Sequence, residues 1–273
     1  MNKRLIAYPY LLWMILFTVI PLSLIFFFGL TVKTADGLSF TLEHIKRVLD
    51  PIYIEVIARS VYLAFISTLI CFILGYPLAM ILAAAPVKQR TYLVLLLLIP
   101  MWMNFLLRTY AWMTLLERKG LINAVLTLLN LPNINILYTD YAVVLGMVYN
   151  FLPFMVLPIY SVLMKIDKGL LEAAGDLGAN RWTVFSKITF PLSLPGVFAG
   201  TLMVFMPAVT TFVISRLLGG GQYTLVGNLI EQQFLVAGDW NFGSALSIVM
   251  MILILCSMGF MTRYEKENGG MLG

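Results

Sequence analysis

The residues with the types and spacing to do chemistry are concentrated in one polar stretch, 165–191, and the chemistry they offer is recognition rather than bond making. Asp167 stands where a carboxylate can accept from the free N–H groups of a first helical turn. Leu170, Ala173, Ala174 and Leu177 come next at spacings of three and four, which puts them on one helical face. Gly178 sits where a helix ends in a left-handed residue. Asn180 is placed to cap a second helix running through Lys187, and Pro191 opens the next apolar run. The spacing predicts two short helices joined by a glycine elbow. A connection between neighbouring helices needs only a few residues, and this one spends 27. The small face at Ala173, Ala174 and Gly178 permits close approach, so the hairpin reads as a docking surface for another protein. A hairpin folded back on its own bundle, or lying on lipid headgroups, is the alternative.

Bond-making chemistry has little support. No GxxxxGK[ST] loop is present to cradle phosphates, so ATP has no recognisable site in this chain. His44 is the single histidine, and its neighbours place it in an outer loop. Cys71 and Cys256 each sit inside an apolar run, far from any CxxC spacing, and read as small hydrophobes rather than metal ligands or a redox pair. No nucleophile–base set is visible.

The elements that must position the hairpin follow from composition. Apolar residues make up 61% of the chain and charged residues 11%, against about half and a quarter in soluble domains. Lipid must therefore be the solvent for much of the surface. Apolar runs at 5–30, 56–85, 92–116, 141–164, 192–218 and 242–262 are each long enough to cross a bilayer as a helix. The expected fold is all-α and polytopic, with six transmembrane helices in one domain over residues 1–273. The first run is read as a retained span, since no small-x-small cleavage site follows Leu30. With both termini in the cytoplasm, the inner segments hold ten of the 18 Lys and Arg residues: Lys3, Arg4, Lys88, Arg90, Lys165, Lys168, Arg181, Lys187, Arg263 and Lys266. They hold five of the 13 acids, Asp167, Glu172, Asp176, Glu265 and Glu267. That excess of retained base is the positive-inside pattern, and it accounts for the net charge of +5 without nucleic acid. Amphipathic stretches at 41–49 and 121–131 suit short interfacial helices, and Gly219, Gly220 and Gly221 mark a tight or flexible turn. Gly196 and Gly200 form a GxxxG that permits close helix packing.

One charge stands apart. Arg108 falls about two-thirds through the third apolar run, beside Tyr110 and Trp112, where a charge is costly unless paired or wet. It is either a pathway or gate residue, or a side chain snorkelling to the outer headgroups.

The 165–191 stretch also carries a resemblance. Glu172-Ala173-Ala174, three residues, Gly178, nine residues, Ile188, one residue and an apolar–proline pair ending at Pro191 is similar to the cytoplasmic loop of ATP-binding-cassette (ABC) importer permeases, with Phe190 where that family usually has Leu. Softer matches extend along the chain at Leu74-Gly75-Tyr76-Pro77-Leu78-Ala79, Arg108-Thr109-Tyr110-Ala111-Trp112, Leu152 to Pro158, Leu218 to Gly221, Val226 to Leu229 and Asp239 to Gly243. These resemble the first permease of polyamine (spermidine/putrescine) importers. The resemblance implies a type I ABC importer permease in a bacterial inner membrane, forming half of a translocation pathway. It implies that Glu172, Ala173, Ala174, Gly178, Ile188 and Pro191 lie at the contact with an ATPase subunit. The implied partners are a second, homologous permease, two ABC ATPase subunits that hold ATP and Mg, an extracytoplasmic solute-binding protein and membrane lipid. This chain itself would need no cofactor and no metal.

A polyamine site should offer carboxylates and aromatic faces. The candidates are Trp102, Tyr110, Trp112 and Tyr149 with Glu231 and Asp239, while Arg108 would pair with an acid rather than hold an amine. Trp and Tyr also gather at interfaces as anchors. Competing functions are an importer permease for ferric iron, sulfate or an amino acid, and an ion-driven secondary carrier. The carrier would favour acids inside the spans and inverted repeats, and neither is evident. A membrane-embedded enzyme would need clustered catalytic groups at one face.

Overall fold

The computed structural model describes residues 3–34, 37–221 and 224–269, with side chains described for 8–33, 37–221 and 224–259. In chain order the elements begin with α1 (Tyr8–Leu30), a two-stranded hairpin of β1 (Thr31–Thr34) and β2 (Gly37–Phe40), and α2 (Glu43–Val48). Next come α3 (Pro51–Ala84), α4 (Val87–Trp102), α5 (Phe105–Leu116), α6 (Leu121–Leu128) and α7 (Asp140–Leu163). The series ends with α8 (Lys168–Asp176), α9 (Arg181–Thr210), α10 (Val213–Leu218), α11 (Val226–Gln232) and α12 (Trp240–Gly269). Among the described residues, five helices are long and apolar enough to cross a membrane, namely α1, α3, α7, α9 and the first 20 residues of α12. A sixth crossing results if α4 and the helical segment after it count as one span bent by 89°. The side chains of Lys3, Arg4, Arg263, Glu265, Lys266 and Glu267, used above to orient the chain, lie outside the described residues.

Two compact units make up the chain, one from residues 1–58 and 226–257, the other from 59–225 with 258–273. In the first, Val48 of α2 packs with Leu229, Phe242, Ala245 and Leu246. Asn241 Nδ2 donates to the carbonyls of Phe28 at 2.8 Å and Thr31 at 2.6 Å, satisfying acceptors freed where α1 gives way to β1. The second unit is built on α7 against α9. A Cβ on Gly196 would lie 2.8 Å from the Pro158 carbonyl oxygen, and one on Gly200 would lie 3.0 Å from that of Met155. The GxxxG is therefore a backbone-to-backbone seam inside this chain, the use of small residues expected where water cannot drive helices together.

Several expectations are corrected. The third apolar run, 92–116, is not one straight helix. Met103 and Asn104 are extended, and Asn104 Oδ1 accepts from the N–H groups of Leu106 at 2.8 Å and Leu107 at 3.4 Å. An N-cap of that kind starts a new helix, shortly after Pro100 removes a donor from the old one. The fifth helix starts ten residues before Pro191 and ends at Thr210, eight short of Leu218. The all-α architecture holds, with one short local addition, the β1–β2 hairpin paired antiparallel from Thr31↔Phe40 to Thr34↔Gly37. Cys71 is buried, but Cys256 is exposed on the chain surface.

Candidate functional site

The hairpin at 165–191 is built by local hydrogen bonds. Asp167 Oδ1 accepts from Gly169 N–H at 2.9 Å and opens α8. The helix closes in a paired motif: Ala179 N–H reaches the Ala174 carbonyl at 3.0 Å, and Gly178 N–H reaches that of Gly175 at 2.9 Å. This six-to-one plus five-to-two pattern needs a left-handed residue at the elbow, and Gly178 supplies it with φ +80°. Asn180 Oδ1 then accepts from Thr183 N–H at 2.8 Å and opens α9.

Beyond Asn180 the chain departs from the expected second short helix. From Arg181 it runs as a single 30-residue helix through the membrane-spanning stretch to Thr210. Pro191 lies inside it. A widened π turn at Phe185–Thr189, closed by Phe190 N–H to the Phe185 carbonyl, precedes the proline that lacks a donor. The elbow is thus continuous with a span. It is also braced laterally: Phe185 meets Trp182 at 6.0 Å and Tyr76 of α3 at 5.8 Å, both edge to face. Ser193 Oγ donates to the Phe190 carbonyl at 2.8 Å, which leaves the Tyr76 hydroxyl as donor to Ser193, also at 2.8 Å.

At the tip, Leu177 is 89% exposed and Trp182 78%, with Leu170, Glu172, Ala173 and Gly178 also exposed. Ala174, Ile188 and Pro191 are half-buried. An apolar tip of this kind, rimmed by Glu172, Asp176 and Arg181, is the composition of an interaction surface rather than of a solvated loop.

A second feature lies in the same unit. A cavity of about 890 Å³ is lined by α3, α5 and α7, with Tyr62, Trp112, Asp140, Tyr141 and Tyr149 among its walls. Trp112 and Tyr149 meet edge to face at 5.3 Å. Arg59 Nη2 bonds both Asp140 oxygens, at 2.7 and 2.8 Å, and the pair is about one-third exposed. Below these polar groups the wall is aliphatic, from Leu63 down to Leu74 and Leu152. Aromatic faces beside a carboxylate form an environment that attracts cations.

The other sequence candidates disperse. Trp102, the last residue of α4, is 77% exposed, and Tyr110 is also exposed. Neither lines the cavity. Arg108 sits in the first turn of α5 rather than deep in a straight span and is 8% exposed, which argues against snorkelling. Its Nε has no hydrogen-bond partner among the described residues, and its guanidinium carbon is 5.9 Å from the Phe105 ring centre. Asp239 and the half-buried Glu231 belong to the other unit. Asp239 has a structural task there: Oδ1 accepts from Phe242 N–H at 3.0 Å, and Oδ2 accepts from Arg47 at 3.2 Å. Burial works against the Arg47 charge, but the neighbouring Tyr53 and Asp239 outweigh it and hold its pKa above the ordinary value.

Tyr62, Asp140 and Tyr141 are not singled out by sequence reasoning. By type and position Asp140 is one more acid in an outer connection, and only the approach of α3 gives it Arg59 as partner. Among the described residues no group of three His, Cys, Asp or Glu side chains is close enough to hold a metal.

Comparison with known proteins completes the assignment. Residues 2–268 match the family described as binding-protein-dependent transport system inner membrane component. The chain is 44% identical over 249 residues to the spermidine/putrescine transport system permease protein PotB of Escherichia coli (strain K12), covering 89% of this chain and 90% of that one. PotB of Haemophilus influenzae is 40% identical over 250 residues, covering 89% and 86%. A solved chain of a bacterial alginate ABC transporter, in complex with its alginate pentasaccharide-bound periplasmic protein, shares the fold with a TM-score of 0.81 at 17% identity, over 97% of this chain and 93% of that one. The motif at 172–191, the helical fold and these matches agree across almost the whole length, and the chain belongs to the family of binding-protein-dependent transport system inner membrane components.

Proposed function

We propose that this permease carries polyamines of the spermidine and putrescine class, with residues 1–273 acting as one half of the translocation pathway. The observation that carries the reading is the 44% identity to a spermidine/putrescine permease over 89% of the chain. The cavity lined by Tyr62, Trp112, Asp140, Tyr141 and Tyr149 supports it, because extended organic cations are held by carboxylates and π faces. A carboxylate has about four acceptor positions, so Asp140 can take an ammonium proton while still bonded to Arg59. Trp102, Tyr110, Glu231 and Asp239 stand outside this cavity, and their part in the pathway is a separate proposal.

The exposed hairpin is the coupling element. Glu172, Ala173, Ala174 and Gly178 form the face that meets an ABC ATPase, and Ile188 and Pro191 belong to the π turn and the proline that follows it inside α9, where the coupling stretch passes into the span. ATP and Mg bind on two such ATPases, a second homologous permease completes the pathway, and an extracytoplasmic protein delivers the solute, with both termini of this chain in the cytoplasm. ATP binding draws the ATPases together, the hairpins move with them, and α9 carries that displacement into the membrane. The buried, unpaired Arg108 Nε is then a donor for an acid of the second permease.

Reconstitution with the partner subunits tests the reading. Spermidine or putrescine should stimulate ATP hydrolysis and accumulate in vesicles, while sulfate, ferric iron and amino acids should do neither. Stimulation by one of those other solutes alone would overturn the polyamine assignment, and uptake with an inactivated ATPase would overturn the coupling.

A further inference from the structure

A second, smaller cavity of about 280 Å³ lies where α3 and α7 end and α4 begins, against α8 of the hairpin. Met80, Leu163 and Leu171 give it apolar walls, while Arg90, Lys168 and Thr189 supply its polar ones. No acid lines it. Asp167, the nearest acid in sequence, is exposed and spends Oδ1 on the Gly169 N–H.

The arginine is fixed before any ligand arrives. Its Nη2 donates to the carbonyls of Ala83 at 3.1 Å and Ala85 at 2.9 Å, the free acceptors at the end of α3. Its Nε is buried and has no hydrogen-bond partner among the described residues. A buried donor left unmet is costly, and a guanidinium held in place has a geometry suited to phosphate oxygens. Lys168 adds an exposed positive charge from the hairpin side.

We propose that this cavity binds the phosphodiester headgroup of an anionic phospholipid, clamped between Arg90 and Lys168, with the start of its acyl chains along Met80, Leu163 and Leu171. The location favours lipid over a soluble anion: two apolar spans end at the cavity, so its ligand lies at the depth where headgroups meet hydrocarbon. Because Lys168 is the first residue of α8 and Arg90 belongs to α4, a bound lipid ties the hairpin to the membrane surface. Lipid occupancy of this cavity does not depend on whether the transported solute is a polyamine.

The test uses the full-length chain with its co-purifying subunits in nanodiscs containing phosphatidylglycerol and phosphatidylcholine in known ratio, with retained lipid measured by mass spectrometry after transfer to detergent. Wild type should retain phosphatidylglycerol over phosphatidylcholine by about thirtyfold, on the scale of two basic residues at a charged surface. Arg90→Gln with Lys168→Gln should abolish the preference. Since Arg90 also ties down α3, Lys168→Gln alone is the second variant and should lower the preference about fivefold. Arg181→Gln with Lys187→Gln removes as much charge from the same hairpin outside the cavity and should leave the preference unchanged. Retention that survives in the cavity variants, or falls equally in the control pair, would overturn the site. Displacement of the lipid by millimolar inorganic phosphate would overturn its assignment to a lipid.

Discussion

The hairpin at 165–191 and the aromatic cavity belong to one compact unit, yet they are specified in opposite ways. Every bond that shapes the hairpin joins residues no more than five apart: Asp167 to Gly169, Gly178 to Gly175, Ala179 to Ala174, Asn180 to Thr183. The cavity's defining contacts reach across the chain, Arg59 to Asp140 and Trp112 to Tyr149. A part that must present one shape to a partner is encoded where backbone rules alone determine it. A part that must accept a ligand is assembled from helices that meet only after folding.

If that contrast is right, the hairpin should fail through its backbone and the cavity through its side chains. The largest effect is expected from Gly178→Pro. Proline cannot take φ +80°, and it removes the N–H that bonds the Gly175 carbonyl. Both halves of the elbow motif are lost, so uptake should fall by about a hundredfold, the scale of a backbone penalty near 3 kcal/mol. Membrane insertion and ATPase-subunit folding should be intact. Full transport by this variant, measured in proteoliposomes, would sink the coupling role.

The cavity should respond differently. Trp112→Ala removes a π face and its packing on Tyr149 without touching the Arg59–Asp140 pair. A desolvated cation–π contact is worth about 2 kcal/mol, so the apparent KM for spermidine should rise roughly thirtyfold with maximal rate little changed. The complementary Asp140→Asn change removes the carboxylate charge that the half-buried Arg59 bonds and mixes a folding cost with a binding one. Trp112 is therefore the cleaner probe. A drop in maximal rate at unchanged KM would move Trp112 from binding to coupling.

The same contrast explains what is legible in the sequence. The caps at Asp167 and Asn180 and the elbow at Gly178 are one-residue signals with one structural meaning, and all three stand where the spacing puts them. The span count survives because hydrophobic length is a bulk property. Continuity is what hydropathy misses: it is blind to the corner at Met103 and Asn104, since a single uncharged polar residue is averaged out over an otherwise apolar run. Likewise, Pro191 reads as a helix start because a proline at a first turn is the commonest case. Only the π turn before it lets α9 continue upstream. Trp112 and Tyr149 are legible as cation-binding types, but Tyr62, Asp140 and Tyr141 become a site only through the approach of α3, α5 and α7. Asp239, an equally good carboxylate by type, is engaged as a helix cap and an ion-pair partner.

A milder substitution at the elbow sharpens the first test. Gly178→Ala retains the N–H and has open space for its Cβ, with nothing within 4 Å. Only the left-handed backbone is penalised, by about 1–2 kcal/mol. Uptake should fall roughly fivefold to thirtyfold, less than for proline, with hydrolysis per solute transported raised. Equal loss in the two variants would mean that the elbow's surface, rather than its backbone, is what the partner reads.

The smallest effect is expected where the two regions share a helix. α3 lines the aromatic cavity from Tyr62 to Leu74 and then meets α9 at Tyr76, whose hydroxyl donates to Ser193 while its ring faces Phe185 and Phe190. Tyr76→Phe keeps the ring stack and deletes only the hydroxyl, leaving Ser193 its bond to the Phe190 carbonyl. One neutral hydrogen bond is worth about 1 kcal/mol, so coupling should weaken by only a few-fold, with KM for spermidine unchanged. Tyr76→Ala removes the stack as well and should uncouple further. If Tyr76→Phe instead shifts KM as much as Trp112→Ala does, the hairpin and the cavity are one cooperative element, and the separation between backbone-encoded and side-chain-encoded parts no longer holds at α3.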